Sequence, residues 1–261
     1  MAGKIYLIGA GPGAADLITL RGARILAQAD IVFYDALVQP DLLALAPQAR
    51  HVAVGKRCRQ LSTDQRFINR ALVEAAQRHG VVVRLKGGDA TLFGRAQEEI
   101  AALRDAGIAY EIVPGITSAL AASAELGISL TQRGVSRSVV FVTPRVGEGE
   151  SASDWIKSVS AADTAVLYMA SGQVAGIAAS LMQHGLPGST PVALVSNASL
   201  PNMQKIVTTL SNLHEAAQNA GSPAFSPALI ILGEVLHNYA LGTSTQEIPE
   251  EISQLINIGK C

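Results

Sequence analysis

Three times in its first 118 residues the chain repeats one arrangement: a short apolar run stops in a glycine-bearing loop, and a helical pattern follows. The run 5–8 ends in Gly9-Ala10-Gly11-Pro12-Gly13-Ala14, and the run 81–85 in Lys86-Gly87-Gly88-Asp89-Ala90-Thr91-Leu92-Phe93-Gly94-Arg95. The run 110–113 ends in Pro114-Gly115-Ile116-Thr117-Ser118. Further strand-like runs at 31–34 and 51–54 interleave with helical patterns at 17–28, 65–78, 96–105 and 118–125. Runs that are apolar on both faces read as strands buried in a parallel sheet. Strands separated by helices need crossover connections, which defines the α/β class.

A second set of elements follows, with strands expected at 138–142, 164–169, 191–195, 205–209 and 228–232 and a helix at 173–183. The polar, glycine-containing stretch 131–137 is the expected boundary. It predicts an N-terminal α/β domain over 1–134 carrying the glycine loops, a second α/β domain over 135–243, and a tail over 244–261. The stretch 147–153 reads as a loop.

Composition narrows the class further. With 49% hydrophobic and 16% charged residues the chain can bury a core, and with 4% aromatics that core is aliphatic. A net charge of −1 argues against a nucleic-acid binder. Cys58 and Cys261 are too far apart for a metal-ligand spacing, and His51, His79, His184, His214 and His237 are scattered, so no metal site is expected. No apolar run approaches the roughly 20 residues of a membrane span, and residues 1–8 carry no signal-peptide pattern. The expectation is a soluble, cytoplasmic protein with no membrane partner.

Each glycine loop has competing readings. The first fits G-x-G-x-x-A with Asp35 about 20 residues on, the dinucleotide fingerprint, or a plain tight turn. Pro12 removes an N–H that a pyrophosphate would use. In the second, paired glycines leave room for a ligand to approach the main chain, and Asp89 offers two acceptor oxygens or caps a helix starting at Leu92. Loops at the carboxyl ends of parallel strands are where α/β sheets bind ligands.

Taken in order, the motifs resemble the tetrapyrrole methylase family over residues 4–241. They are Gly9-Ala10-Gly11-Pro12-Gly13, Tyr34-Asp35-Ala36-Leu37-Val38, Val54-Gly55-Lys56-Arg57 and Lys86-Gly87-Gly88-Asp89. Phe93-Gly94-Arg95 with Glu98-Glu99, Val113-Pro114-Gly115-Ile116-Thr117-Ser118-Ala119, Tyr168-Met169 and Gly233-Glu234-Val235 complete the set. The resemblance implies two α/β domains, a homodimer, and S-adenosyl-L-methionine held in the inter-domain cleft and released as S-adenosyl-L-homocysteine. It implies C-methylation of uroporphyrinogen III at C2 and C7 in two successive transfers, giving precorrin-2 for cobalamin, sirohaem or haem d1 synthesis. By the same resemblance the donor contacts fall on Pro12, Gly87, Gly88, Asp89, Leu92, Thr117, Ser118, Met169 and Ala198, with Pro227 and Ala228 as further positions. The resemblance also gives Asp35 a proton-acceptor and Lys56 a proton-donor role. The chain departs from the family pattern at Ala90 (usually Pro), Gln132 (often His) and Thr143-Pro144-Arg145 (more usually Thr-Gly-His). With no dinucleotide-binding domain before residue 4, the chain is expected to methylate and nothing more.

The chemistry this implies makes further demands. A sulfonium donor needs little beyond in-line placement of a carbon nucleophile. A substrate with eight carboxylates needs cations, best supplied by Arg95 and Arg133, with Arg21, Arg57, Arg66 and Arg145 behind them. Glu98, three residues after Arg95, contacts a pyrrole N–H or pairs with Arg95. Met169 contacts donor and substrate or packs in the core. The methylated ring must lose a proton, for which Asp35 is the candidate acceptor; the alternatives for Asp35 are a helix cap or an ion pair with Lys56. The rival readings are a sister methylase with a later corrinoid substrate, a module that senses NAD, and a structural subunit. The glycine loops argue against the last, since they destabilise an α/β fold unless a ligand uses the space they leave.

Overall fold

Alternate residues of the first strand, β1 (Lys4–Gly9), bury against opposite layers: Ile5 and Leu7 in one apolar cluster, Ile8 in another. This period of two, with both faces covered, makes a parallel sheet stable. The computed structural model describes residues 3–55, 65–146, 153–170, 172–219, 228–237 and 239. In it β1 joins β2 (Ile31–Tyr34), β3 (Arg50–Ala53), β4 (Val81–Lys86) and β5 (Tyr110–Val113) in the order β3-β2-β4-β1-β5, every pair parallel.

Helices cover both faces. The apolar side of α3 (Gln65–Ala76) and of α4 (Ala96–Asp105) supplies Ile68, Leu72, Ile100 and Leu103 to the cluster around Ile5, Leu7, Phe33 and Val82. On the other face, Leu26 of α1 (Leu20–Leu26) and Leu42 of α2 (Pro40–Leu43) pack with Ile8, Val32, Val83, Leu85 and Val113. Each fully buried Leu or Ile contributes about 1.5–3 kcal/mol.

The helix expected over 17–28 is divided. A 3-10 turn spans Ala15–Leu17, and α1 begins only at Leu20 because the extended Thr19 caps it, its hydroxyl accepting from Gly22 N at 3.1 Å. The α2 helix was not expected; it is one turn long, started by Pro40 at its first position, and too short to show a period. Helix α5 (Ser118–Leu126) ends at Gly127, whose φ of 65° is the left-handed conformation of a helix C-cap.

The chain divides into two compact units, the first comprising residues 1–127 and 195–204, the second 128–194 and 205–261. The second unit carries β6 (Val139–Val142), β7 (Thr164–Leu167), β8 (Pro191–Ser196, whose last two residues count with the first unit), β9 (Gln204–Thr209) and β10 (Ala228–Gly233) in the order β6-β7-β10-β8-β9. Its sheet is mixed: β6 and β7 are parallel, and β10 lies antiparallel to β7. Helices α6 (Trp155–Ala161), α7 (Val174–Gln183) and α8 (Leu213–Asn219) close its core on Leu167, Leu181, Leu194, Leu210, Leu213 and Ile230. The short helices α6 and α8 were not expected from the sequence, for the same reason as α2. The strand expected over 164–169 stops at Leu167, and Met169 adopts a left-handed φ of 56°. No helix among the described residues is long and apolar enough to cross a membrane.

Candidate functional site

In the sheet order β3-β2-β4-β1-β5, the chain leaves β1 toward β2 on one side and leaves β4 toward β5 on the other. The switch point therefore falls between β1 and β4, where open α/β sheets form a crevice. Gly9 pairs with Lys86 in register, so the first two glycine loops start side by side, and Ile8 pairs with Val113 just before the third.

The three loops interlock through their own backbones. Gly88 N donates to Gly11 O at 2.7 Å and Gly11 N to Gly88 O at 3.1 Å. A Cβ on Gly9 would lie 2.6 Å from Gly115 Cα and N, and one on Gly115 would lie 2.4 Å from Gly88 O. At these two positions glycine is required by neighbouring main chain, with no ligand involved, so the loops alone do not disfavour a structural role. Gly88 differs: nothing lies nearer than 3.9 Å to its missing Cβ, and its φ of 68° is left-handed. Its open face, beside Thr117, is the cradle a ligand could use.

Asp89 ties this arrangement together. Its Oδ1 accepts from Thr91 N at 2.8 Å and Thr91 Oγ1 at 2.5 Å, and its Oδ2 accepts from Gly115 N at 2.9 Å. Burial opposes its charge, but these three donors outweigh it and hold the carboxyl below the usual range. Both oxygens thus have donors within the chain. The alternative of Asp89 as the cap of a helix from Leu92 fails, since α4 begins at Ala96, and Asp89 caps the turn to Thr91 instead.

The first loop is unsuited to a pyrophosphate. Ala10 N donates to Lys86 O at 2.7 Å, Gly11 N to Gly88 O, and Ala14 N to Ser199 Oγ at 3.0 Å, while Pro12 has no N–H. Only a single 3-10 turn starts at the loop end, and α1 begins six residues beyond Ala14, so no α-helix N-terminus faces the loop. The loop leaving β8 closes on it: a Cβ on Gly13 would meet Leu200 Cγ at 2.8 Å, and Ala198, 6% exposed, sits next to Ser199. Within the first unit the fold thus gathers Pro12, Gly87, Gly88, Asp89, Thr117, Ser118 and Ala198 at one end of the sheet.

Backbone strain marks the same kind of position. Among the described residues the non-glycines with positive φ are Phe93, Arg95, Met169, Asn197 and Ser199, all in segments just after β4, β7 or β8. Such conformations cost about 1–3 kcal/mol each and gather at functional sites. Arg95 is the left-handed N-cap of α4, and its Nε and Nη2 donate to both oxygens of Glu98 at 2.6 and 2.8 Å. The expected pairing within the helix therefore exists, on an exposed face.

The buried strand expected at 81–85 carries one cation, Arg84, and β4 extends one residue further to include a second, Lys86, whose burial the sequence did not announce. Arg84 and Lys86 are each 2% exposed and, two positions apart in the alternation, point to the same α3/α4 face. Glu99 of α4, fully buried, bridges them: Arg84 Nε donates to its Oε1 at 2.9 Å and Lys86 Nζ to its Oε2 at 3.1 Å. Arg84 Nη2 reaches Asp35 Oδ1 at 2.5 Å, and Nη1 donates to Leu85 O at 3.2 Å. Burial works against the Arg84 charge, yet Asp35 and Glu99 raise its pKa; burial, with repulsion from Arg84, lowers that of Lys86. The available signal was the i, i+2 spacing of two cations inside V-V-V-R-L-K.

Asp35 is paired with Arg84 among the described residues, a partner not named from the sequence; the alternative of an ion pair with Lys56 falls on a residue outside them. Gly55, at the end of β3, abuts it: a Cβ there would lie 2.0 Å from Ala36 N. Lys56 and Pro227, as well as Arg57, lie outside the described residues. Leu92 is half-buried beside the second loop; Met169 is 38% exposed, Arg133 lies exposed on the turn bridged by Gln132 and Ser136, and Ala228 is buried at the start of β10, all three in the second unit. Ala90, where the family usually has Pro, is fully buried.

With this geometry the comparisons with known proteins agree. Residues 4–214 match the family model of tetrapyrrole (corrin/porphyrin) methylases, and the chain belongs to that family. A uroporphyrinogen-III C-methyltransferase of Pseudomonas aeruginosa is 44% identical over 236 residues, covering 90% of this chain and 95% of that one. A sirohaem synthase of Zymomonas mobilis is 44% identical over 234 residues, 89% of this chain but 49% of its own length. The chain spans about half the length of the sirohaem synthases it matches. Among solved structures, uroporphyrin-III C-methyltransferase of Thermus thermophilus, crystallised with S-adenosyl homocysteine, superposes with a TM-score of 0.76 at 38% identity, covering 90% of this chain and 99% of that one. A cobalt precorrin-4 methyltransferase superposes at 0.78 with 29% identity.

Proposed function

We propose that the chain is an S-adenosyl-L-methionine-dependent C-methyltransferase that converts uroporphyrinogen III to precorrin-2 by two successive transfers, at C2 and C7. The observation that carries this reading is the interlocked trio of glycine loops at the switch point, with an open face at Gly88, in a chain 38% identical to a structure holding the demethylated donor. In this reading Pro12, Gly87, Gly88, Leu92, Thr117, Ser118 and Ala198 border the donor. Asp89 acts by holding the loops from Gly87 and Gly115 together. Met169, Pro227 and Ala228 are donor positions on the family resemblance alone, as is Met169 for the substrate.

The donor, when bound, supplies an activated methyl group, and the protein's task is alignment. Arg95, with Arg133, receives substrate carboxylates; Glu98 presets the Arg95 guanidinium. Asp35 accepts the one proton the ring releases after each methyl transfer; Lys56 is a proton donor on the family resemblance alone. In this reading the segment 1–134 carries the glycine loops and the substrate-facing residues, 135–243 completes the donor site with Met169, Ala198, Pro227 and Ala228, and 244–261 is the tail. By the same resemblance the enzyme acts as a cytoplasmic homodimer without nucleic-acid or membrane partners, feeding cobalamin, sirohaem or haem d1 synthesis.

Incubation with uroporphyrinogen III and methyl-labelled donor tests the reading. Two labels per tetrapyrrole are expected; an unlabelled tetrapyrrole overturns it. The TM-score of 0.78 to a precorrin-4 methyltransferase favours one second reading, a later corrinoid substrate. Label appearing only in such a corrinoid would select it.

A further inference from the structure

Glu99 has no exposure, yet it holds two buried cations on the strand that leads into the Gly87-Gly88 loop. A buried ion pair is poor value for stability alone, because taking the charges from water costs about as much as their attraction returns. Here the group has a direction. Counting Arg84, Lys86, Glu99 and Asp35, two positive charges meet two negative ones, and Asp35, with 29% of its side chain exposed, is the member that reaches solvent.

Each contact of Arg84 has a distinct role. Glu99 takes Nε, the Leu85 carbonyl takes Nη1, and only Nη2 is left for Asp35. The guanidinium plane is therefore set from the buried side, and with it the place of Asp35 Oδ1. Lys86 balances the second oxygen of Glu99, so that Glu99 does not swing wholly onto Arg84. Gln65, 8% exposed on α3, adds a weaker donor to Glu99 Oε1 at 3.4 Å. A proton acceptor works only when its oxygen lies within hydrogen-bond reach of the proton it takes.

We propose that Glu99 and Lys86 are positioning residues for the methyl-transfer reaction: acting through Arg84, they hold the Asp35 carboxylate where it accepts the substrate proton. This inference rests on the reading of Asp35 as the acceptor.

The test uses the whole chain with uroporphyrinogen III and the methyl donor. The double variant Glu99→Gln/Lys86→Met removes one charge of each sign, so it avoids leaving an unpaired buried ion. It is expected to lower kcat by about tenfold or more. The KM for the tetrapyrrole and the Kd for S-adenosylhomocysteine should stay within about twofold. A triple variant that adds Asp35→Asn should be no slower than Asp35→Asn alone, because residues acting through one group are not additive. Glu99→Asp with Lys86 retained should recover part of the rate. Unchanged kcat in the double variant, a matching loss of donor affinity, or an additive triple variant would each overturn the inference. If Asp35→Asn by itself turns over normally, the acceptor reading is what fails, and that result is read before the others.

Discussion

Glu98 and Glu99 are neighbours on one helix turn and live in opposite surroundings. Glu98 is exposed and pairs with Arg95, itself exposed, three residues before it. Glu99 is fully buried and pairs with Arg84 and Lys86, which are brought to it from another element. Both pairs have good geometry, with nitrogen–oxygen distances of 2.6 Å and 2.9 Å for the leading contacts. Geometry therefore does not rank them; solvent does. Water screens the first pair and competes for its charges, while the second is closed to water and can turn only to the other members of its network if one is removed.

The largest expected effect breaks the comparison outright. Glu99→Ala leaves Lys86 buried without its carboxylate and Arg84 with Asp35 alone, and should cost about 3–5 kcal/mol in urea unfolding. A loss comparable to that of an exposed residue would mean that water reaches the network. Second, Gly115→Ala puts a methyl group 2.4 Å from Gly88 O, so the second and third loops must part. Donor affinity, read by calorimetry with S-adenosylhomocysteine, should fall at least about tenfold, or about 1.4 kcal/mol.

Asp89 sharpens the comparison as an intermediate case, half-buried with three donors. Its folded pKa lies below its unfolded value, so its contribution is present above the unfolded pKa of about 3.9 and is lost as pH falls through the folded pKa. Asp89→Asn should therefore lower stability near neutral pH by on the order of 1 kcal/mol and flatten the loss below about pH 4. An unchanged acid limb would show that the Gly115 contact is not made in solution. The smallest effect belongs to Glu98→Ala, which should change stability by no more than about 1 kcal/mol, an amount that added salt reduces further. Its turnover is the informative readout: if Glu98 only presets Arg95, KM for the tetrapyrrole rises and kcat changes little.

Much of the first unit was legible in advance. The strands Ile31–Tyr34 and Tyr110–Val113 and the helix Ala96–Asp105 have the bounds that periodicity predicts, because both faces of a parallel strand and one face of a helix must be apolar. The glycine loops were legible as the end of each strand. Their meaning was divided: Gly9 and Gly115 serve main-chain packing, whereas Gly88 keeps an open face. One-turn helices such as α2 left no periodic trace, and the end of β7 was overrun by two residues because the left-handed turn at Met169 has no glycine to announce it.

The amino-acid order by itself determined the α/β class, the position of the loops at strand ends, and the family, since each follows from local patterning or contiguous motifs. Only the tertiary structure decided which loops touch, that Asp89 bonds to Gly115, and that Arg84 links Asp35 to Glu99. These contacts join residues 26, 49 and 15 positions apart. Their partners are chosen by sheet order and by which face of β4 lies under α4. A strand read alone reveals that Arg84 and Lys86 share a face, but not that the face is buried or that a carboxylate waits there.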